Sequence, residues 1–317
     1  LRKVVVAQKT DDQVLDMLRS VVQIAQVQEG NLDDLKEQLR GADAALVGTW
    51  MKFNAELMDL SPSLKVIART GAGVDNVDVS AATCRGIMVL NTPTANSVSV
   101  AEHAVALLLA LSKQLAFLDA SVRQGNFKAR RLYLPVDVEG KTLGLIGCGN
   151  IGRLVAQKCR DAFHMHTIGF DPYLKVAPQG IDLCATFQAV LSQADYVSLH
   201  LPYSSETKKL IAQKELSLMK SSAFLINTSR GGIVCETALA EALNAGTIAG
   251  AALDVFDVEP PKLDNPLLSC KNLLLTPHSA ALTRECVLRV ALCAAQGIVD
   301  HLCGRRPEFV FNKEVLG

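Results

Sequence analysis

The chain alternates between two periodicities almost from its first residue. Short apolar, β-branched runs at residues 4–6, 44–47, 66–68 and 87–90 are separated by stretches of helical spacing at 12–19, 32–40, 55–60 and 80–85. Strand and helix signals in this alternation predict a mostly parallel sheet with helices on both faces. Asn91-Thr92-Pro93 closes the block. Residues 97–124 then read as one long helix with Ser97 as its N-cap. Its segment 104–111 is apolar nearly all round, which predicts cover on every side, from a deep core, a domain crossing or a subunit interface. A second alternating block starts at Lys141, with strands expected at 142–146, 167–170, 196–201, 223–227, 249–255 and 273–276. The proline-bearing stretch 257–265 reads as a loop, 283–303 as a final helix and 307–316 as a tail. No fixed-period repeat or low-complexity segment interrupts this pattern, so two doubly wound α/β units are expected.

Residues 143–152 read Leu-Gly-Leu-Ile-Gly-Cys-Gly-Asn-Ile-Gly, a strand running into G-x-G-x-x-G. A helical pattern follows from Asn150, and the next strand ends at Asp171, 19 residues past Gly152. That context is the one a dinucleotide requires. Gly147 permits the tight turn, Gly149 lets the backbone approach a pyrophosphate, and Gly152 lets the helix pack closely on the strand. Asn150 and Ile151 open a helix whose N–H groups and dipole favour phosphate. Asp171 can accept from a ribose 2′-hydroxyl and would repel a 2′-phosphate, so NAD is expected over NADP. The competing reading is a structural glycine turn in an ordinary βαβ unit. The agreement of strand, glycines, helix and acidic residue argues against it.

In open α/β sheets, ligands bind outside the carboxyl ends of the strands. Those ends carry unusual side chains here: Thr228-Ser229-Arg230 after one strand, Asp254 and then Glu259 after the next, Pro277-His278-Ser279 after the last, and His200 after an earlier one. Such a set suits hydride exchange at a 2-hydroxy acid. A histidine can take or give the hydroxyl proton near neutral pH. A carboxylate beside it fixes the ring tautomer. An arginine can clamp the substrate carboxylate and polarise the carbonyl. Each residue alone would pass for a loop or surface charge, and only their joint placement beside a dinucleotide fingerprint gives them weight.

Composition narrows the remaining classes. Lys plus Arg and Asp plus Glu are both 32, which argues against an overall basic nucleic-acid binder. The longest apolar stretch, 104–111, is far short of the ~20 residues of a membrane span. No secretory leader is expected, because the chain runs directly into a strand. Nine cysteines form no C-x-x-C pair and no zinc spacing. They are read as reduced thiols of a cytoplasmic protein, with no metal and no disulfide framework.

With these motifs in place, the chain resembles the D-isomer-specific 2-hydroxyacid dehydrogenases over essentially its whole length, and within them the phosphoglycerate dehydrogenase and hydroxypyruvate reductase branch. The carrying segments are residues 69–78, 91–97, 147–152, 227–234, 250–260 and 276–278. The resemblance implies that Arg230, Glu259 and His278 form the catalytic set. It implies that N–H groups around Gly71, Ala72 and Gly73 hold the substrate carboxylate with Arg69 nearby, and that Asp254 meets the nicotinamide. Thr228, Ser229 and Ser279 join the expected cofactor contacts. The implied architecture is a Rossmann NAD-binding domain (97–282) inserted into a flavodoxin-like substrate domain (1–96 and 283–317), as a homodimer acting on a small 2-keto or 2-hydroxy acid.

Two features depart from that branch. Phosphoglycerate dehydrogenases place an Arg-Ser pair and a Thr after the third strand, whereas this loop reads Gly48-Thr49-Trp50-Met51-Lys52. Loss of a charged anchor disfavours a phosphorylated substrate and points to a hydroxypyruvate- or glyoxylate-like acid over 3-phosphoglycerate. The sequence also stops at Gly317, so feedback through a carboxyl-terminal regulatory domain is not expected. The competing function is an NAD(H)-sensing interaction protein of the corepressor type on the same fold.

Overall fold

Four of the apolar runs and one polar edge strand pair side by side, all in parallel. In the computed structural model, which describes residues 2–132 and 134–316, these are β1 (Lys3–Ala7), β2 (Gln23–Gln26), β3 (Ala44–Val47), β4 (Val66–Arg69) and β5 (Met88–Leu90), in the order β2-β1-β3-β4-β5. Helices α1 (Asp12–Arg19), α2 (Leu32–Leu39), α3 (Ala55–Asp59) and α4 (Val79–Cys84) connect them, and α11 (Arg284–Leu302) returns from the far end of the chain. Side chains alternate across the pleat. Val4, Val6, Leu46 and Val66 pack against α1 and α11, while Val5, Val47, Ile67 and Val89 pack against α2 and α3. Both faces are therefore buried, which is why the strands read as continuous apolar runs. This unit comprises Leu1–Asn96 and Leu282–Gly317.

The second unit, Ser97–Ala281, holds seven parallel strands: β6 (Thr142–Ile146), β7 (His166–Phe170), β8 (Asp182–Leu183), β9 (Tyr196–Leu199), β10 (Phe224–Asn227), β11 (Gly250–Leu253) and β12 (Leu273–Leu275). Their order is β12-β11-β10-β9-β6-β7-β8. The order reverses beside β6, so the crevice of a doubly wound sheet opens at the carboxyl ends of β6 and β9. The flanking helices are α5 (Ser97–Ser112), α6 (Leu115–Arg123), α7 (Asn150–Phe163), α8 (Phe187–Gln193), α9 (Gln213–Leu218) and α10 (Glu236–Asn244). Both sheets have the doubly wound topology that the alternation predicts.

The expected helix over 97–124 is in fact two. Gln114 adopts a left-handed backbone, φ +50°, and α5 and α6 diverge by 59°. A left-handed residue ends α-helical hydrogen bonding as a C-terminal glycine would. The break lets α5 bury its apolar surface against α7, β10 and β11 while α6 leaves Leu115 and Val122 exposed. Strands β2 and β8 were also unanticipated: the first is a polar edge strand and the second only two residues long. Among the described residues, no single helix is long and apolar enough to cross a membrane.

Candidate active site

The glycine turn follows from close packing. Gly147 takes φ +94°, and a β-carbon there would lie 2.3 Å from the His200 carbonyl oxygen, so only glycine fits. The turn delivers Gly149, exposed and with open space about its α-carbon, to the start of α7. Gly149 caps that helix without a side-chain hydrogen bond, leaving the first-turn N–H groups at Asn150 and Ile151 directed outward. Asp171 stands at the end of the neighbouring β7. Its Oδ2 accepts from Cys148 N and its Oδ1 from Tyr173 N, both at 3.0 Å. The carboxylate is thus fixed beside the turn with lone pairs to spare.

Two buried polar atoms near these strand ends have no partner among the described residues, Thr228 Oγ1 and His200 Nδ1. Orphaned buried groups call for an explanation. An uncapped helix, a ribose-type acceptor and two unpaired polar atoms form a donor and acceptor set that suits a dinucleotide. Burial pushes His200 down to about 4, so its ring is neutral, and Nε2 lies 3.0 Å from Ser198 Oγ. Burial, with help from Asp171, pushes the Cys148 thiol up to about 12, so it packs the turn as a protonated hydrophobe.

The candidate catalytic residues follow three adjacent strands. After β10, the Asn227 side chain folds the loop back on itself: Nδ2 donates to the Arg230 carbonyl at 2.9 Å, and Oδ1 accepts from Ser229 N at 3.0 Å and Ser229 Oγ at 2.7 Å. Arg230 Nη1 donates to the Ser229 carbonyl at 2.8 Å. Gly231 then touches the segment after β11, where an added β-carbon would sit 1.7 Å from the Phe256 oxygen. Phe256 N donates to Glu259 Oε1 at 3.0 Å, and Glu259 Oε2 accepts from His278 Nδ1 at 2.7 Å. Glu259 precedes a cis proline, Pro260. The His278 side chain remains 48% exposed, and with Nδ1 engaged its free ring nitrogen is Nε2. The sheet therefore brings Glu259 and His278 into direct contact and sets Arg230 on the loop that packs against the Phe256–Asp257 backbone leading to Glu259.

Asp254, at the end of β11, is enclosed by the segment that follows β12. Its side chain is 1% exposed. Its carboxylate accepts from Thr276 Oγ1, Ser279 N and Ala280 N at 2.6–2.9 Å. Ser279 is thereby committed to Asp254, and Ser229 to Asn227, while Thr228 retains its unpaired hydroxyl.

In the first unit, residues 69–73 form a loop after β4. Thr92 N donates to the Gly71 carbonyl at 2.9 Å and Asn91 Nδ2 to the Ala72 carbonyl at 2.7 Å. Gly71 N is itself bonded to the Arg69 carbonyl at 3.1 Å, so among the described residues the free N–H groups of this loop are those of Ala72 and Gly73. Arg69 Nη1 donates to the Thr70 carbonyl at 3.0 Å and lies over Gly71. Nearby, the loop after β3 is closed: Trp50 Nε1 donates to the Ala7 carbonyl at 2.6 Å, Met51 is buried, and Asn76 Nδ2 ties the Gly48 and Met51 carbonyls. Sequence reasoning quoted the segments that hold Asn76, Asn91 and Thr276 but gave these residues no role, because each acts through a hydrogen bond to a residue distant in the chain.

Residues 105–280 match the family model described as D-isomer specific 2-hydroxyacid dehydrogenase, NAD binding domain. The chain belongs to that family. D-3-phosphoglycerate dehydrogenase of Archaeoglobus fulgidus is 39% identical over 306 residues, covering 95% of this chain and 58% of its own length. The protein of the same name from Mycobacterium tuberculosis is 40% identical over 310 residues, covering 97% of this chain and 57% of its own. The chain thus spans somewhat under three fifths of these curated relatives. Among solved structures, the TT0316 protein of Thermus thermophilus superposes with a TM-score of 0.90 at 35% identity, covering 98% of this chain and 99% of that one. A glyoxylate reductase from Paecilomyes thermophila gives 0.89 at 29% identity, covering 99% of each.

Proposed function

We propose that the chain is an NAD-dependent oxidoreductase interconverting a 2-keto acid and its D-2-hydroxy acid. The observation that carries this reading is the Glu259–His278 contact of 2.7 Å beside the Arg230 loop, at the ends of three adjacent strands. The Gly147–Gly152 turn, the α7 N-terminus and Asp171 would hold the dinucleotide, with Asp171 selecting NAD. When bound, its nicotinamide supplies or accepts the hydride. His278 Nε2 gives its proton to the keto oxygen in reduction and takes it back from the hydroxyl in oxidation. Glu259 keeps Nδ1 protonated and fixes the plane of the ring. Arg230 supplies a charged fork for the substrate carboxylate, and the Ala72 and Gly73 N–H groups are further candidates for a carboxylate contact.

The substrate we favour carries no phosphate. The loop after β3 has no arginine, its tryptophan is held on the Ala7 carbonyl and its methionine is buried. An NADH-oxidation panel over glyoxylate, hydroxypyruvate, pyruvate, phenylpyruvate and 3-phosphohydroxypyruvate tests both parts. Hydroxypyruvate or glyoxylate is expected to give the highest kcat/KM. A far higher value for 3-phosphohydroxypyruvate overturns the substrate assignment alone, and no turnover of any acid overturns the reaction class.

A homodimer is supported by the exposed Leu115, Phe117 and Val122 of α6, followed by exposed Phe127, Leu132 and Leu134. Light scattering is expected to return about twice the 34.0 kDa chain mass. Nine free thiols support a reducing, cytoplasmic setting.

A further inference from the structure

His278 adopts φ +50°, a conformation that an L side chain rarely takes and that its surroundings must impose. The turn that carries it wraps around one buried carboxylate. His278 N donates to the Asp254 carbonyl at 2.7 Å. Ser279 N and Ala280 N donate to Asp254 Oδ1 and Oδ2 at 2.8 and 2.9 Å, and Thr276 Oγ1 donates to Oδ1 at 2.6 Å. A side chain from α5 also reaches this cluster: His103 Nε2 lies 3.1 Å from Thr276 Oγ1 and 3.6 Å from Asp254 Oδ1. The Thr276 hydroxyl proton is committed to Asp254, so Thr276 Oγ1 can only accept from His103, which places a ring proton on Nε2.

We infer that His103 is a positioning residue: acting through Thr276 and Asp254, it holds the left-handed turn that aims the His278 ring at Glu259. The relay is His103 Nε2–H to Thr276 Oγ1, Thr276 O–H to Asp254, Asp254 to the backbone of 278–280, and His278 Nδ1–H to Glu259. None of its first three members is needed to touch substrate. The inference rests on the reading of His278 as the group that exchanges the substrate proton.

The test compares H103L, which removes the donor at similar bulk, with H103Q, whose amide N–H can occupy the place of Nε2–H. In H103L, kcat is expected to fall about tenfold or more, with the KM for the keto acid and the affinity for NADH each within about threefold of wild type. H103Q restores kcat to within about threefold. A readout independent of turnover is the proton resonance of His278 Nδ1–H in the protein without cofactor. The short charge-assisted bond to Glu259 shifts it to low field. It is retained in wild type and H103Q and lost or broadened in H103L. Thr276→Val cuts the same relay from the other side, so the double variant H103L/T276V loses no more kcat than the worse single one.

Unchanged kcat in H103L overturns the inference. So does a loss of kcat with the His278 resonance intact, a loss not rescued by H103Q, or losses that multiply in the double variant. If H103L does not fold, T276V carries the same resonance and kcat test. If wild type turns over no 2-keto acid, the functional reading fails by itself, and the resonance still decides whether His103 governs the His278 turn.

Discussion

Gly231 is where the arginine loop meets the glutamate loop, backbone to backbone, and Gly231→Ala tests that contact directly. A β-carbon at this position would lie 1.7 Å from the Phe256 oxygen and 2.9 Å from Asp257 N. Carbon atoms of this kind do not approach backbone closer than 3.0 Å, so the two loops must separate by at least about 1.3 Å. Gly231 is not in the left-handed region, so alanine brings no conformational strain of its own, and the effect comes from the contact alone. On one side the displacement moves Arg230. On the other it moves Phe256, whose N–H holds Glu259, which holds His278. A misplacement of about 1 Å among reacting groups costs on the order of 100-fold in rate, and that is the loss of kcat expected for Gly231→Ala. The glycine turn of the cofactor cradle follows β6, two strands away from β10 in the sheet, so NADH affinity is expected to stay within about threefold. Steady-state NADH oxidation with the preferred keto acid gives the first quantity, and NADH fluorescence titration gives the second. A folded Gly231→Ala protein with kcat within about threefold of wild type would refute the claim that this contact sets the geometry of the catalytic set.

Gly149→Ala provides the complementary case. A methyl group there meets no protein atom within 4 Å, so stability should fall by no more than the roughly 1 kcal/mol of alanine at a helix N-cap, while NADH affinity drops by about tenfold or more, since the backbone can no longer approach a pyrophosphate. Equal affinity in wild type and variant excludes the turn as the phosphate site. Glu259→Gln replaces a charged acceptor of the His278 Nδ1–H, a bond worth roughly 1.5–3 kcal/mol, so kcat should fall about 10- to 100-fold with little change in NADH affinity; an unaltered kcat contradicts the assignment. His200 titrates at about 4 in the fold against its ordinary 6.5, so between those values the unfolded chain binds more protons and stability falls as pH drops. The loss over that window is about 3 kcal/mol at most. Urea unfolding at pH 7.5 and 4.5 should show a pH dependence flatter by about 2–3 kcal/mol in His200→Gln than in wild type, and parallel behaviour of the two proteins rejects the neutral buried ring.

What was legible in the sequence was local. The strand, glycines and helix of the cradle lie within one βαβ segment, and the acidic residue at the end of its second strand follows at a fixed spacing. The polar residues after β10, β11 and β12 were legible because the carboxyl ends of parallel strands share one edge, so topology gathers residues that the chain spreads over dozens of positions. Their individual roles came from side-chain chemistry and from the resemblance, not from spacing. Strand β2 was not legible because Gln23–Gln26 pairs with only one neighbour and keeps polar side chains, so no apolar run marks it. The break at Gln114 carries neither glycine nor proline, the residues that ordinarily announce such a turn. Around Gly71 nothing in the sequence marks the bond from the Gly71 N–H to the Arg69 carbonyl.

The inward-turned residues were the hardest to find, and energetics explains why they are there. A left-handed residue other than glycine costs roughly 1–2 kcal/mol. Glycine at 278 would remove that cost, but it would also remove the imidazole. The chain instead keeps the histidine and offsets the strain with hydrogen bonds to a charged acceptor, each worth about 1.5–3 kcal/mol. The Asp254 carboxylate receives three such bonds from Thr276, Ser279 and Ala280, and its neutral backbone carbonyl receives a further bond from His278 itself. His103 reaches this cluster from a helix 173 residues upstream of Thr276. A separation of that length leaves no mark on periodicity or local spacing, so the support for the reactive ring became visible only once the two segments were placed together in space.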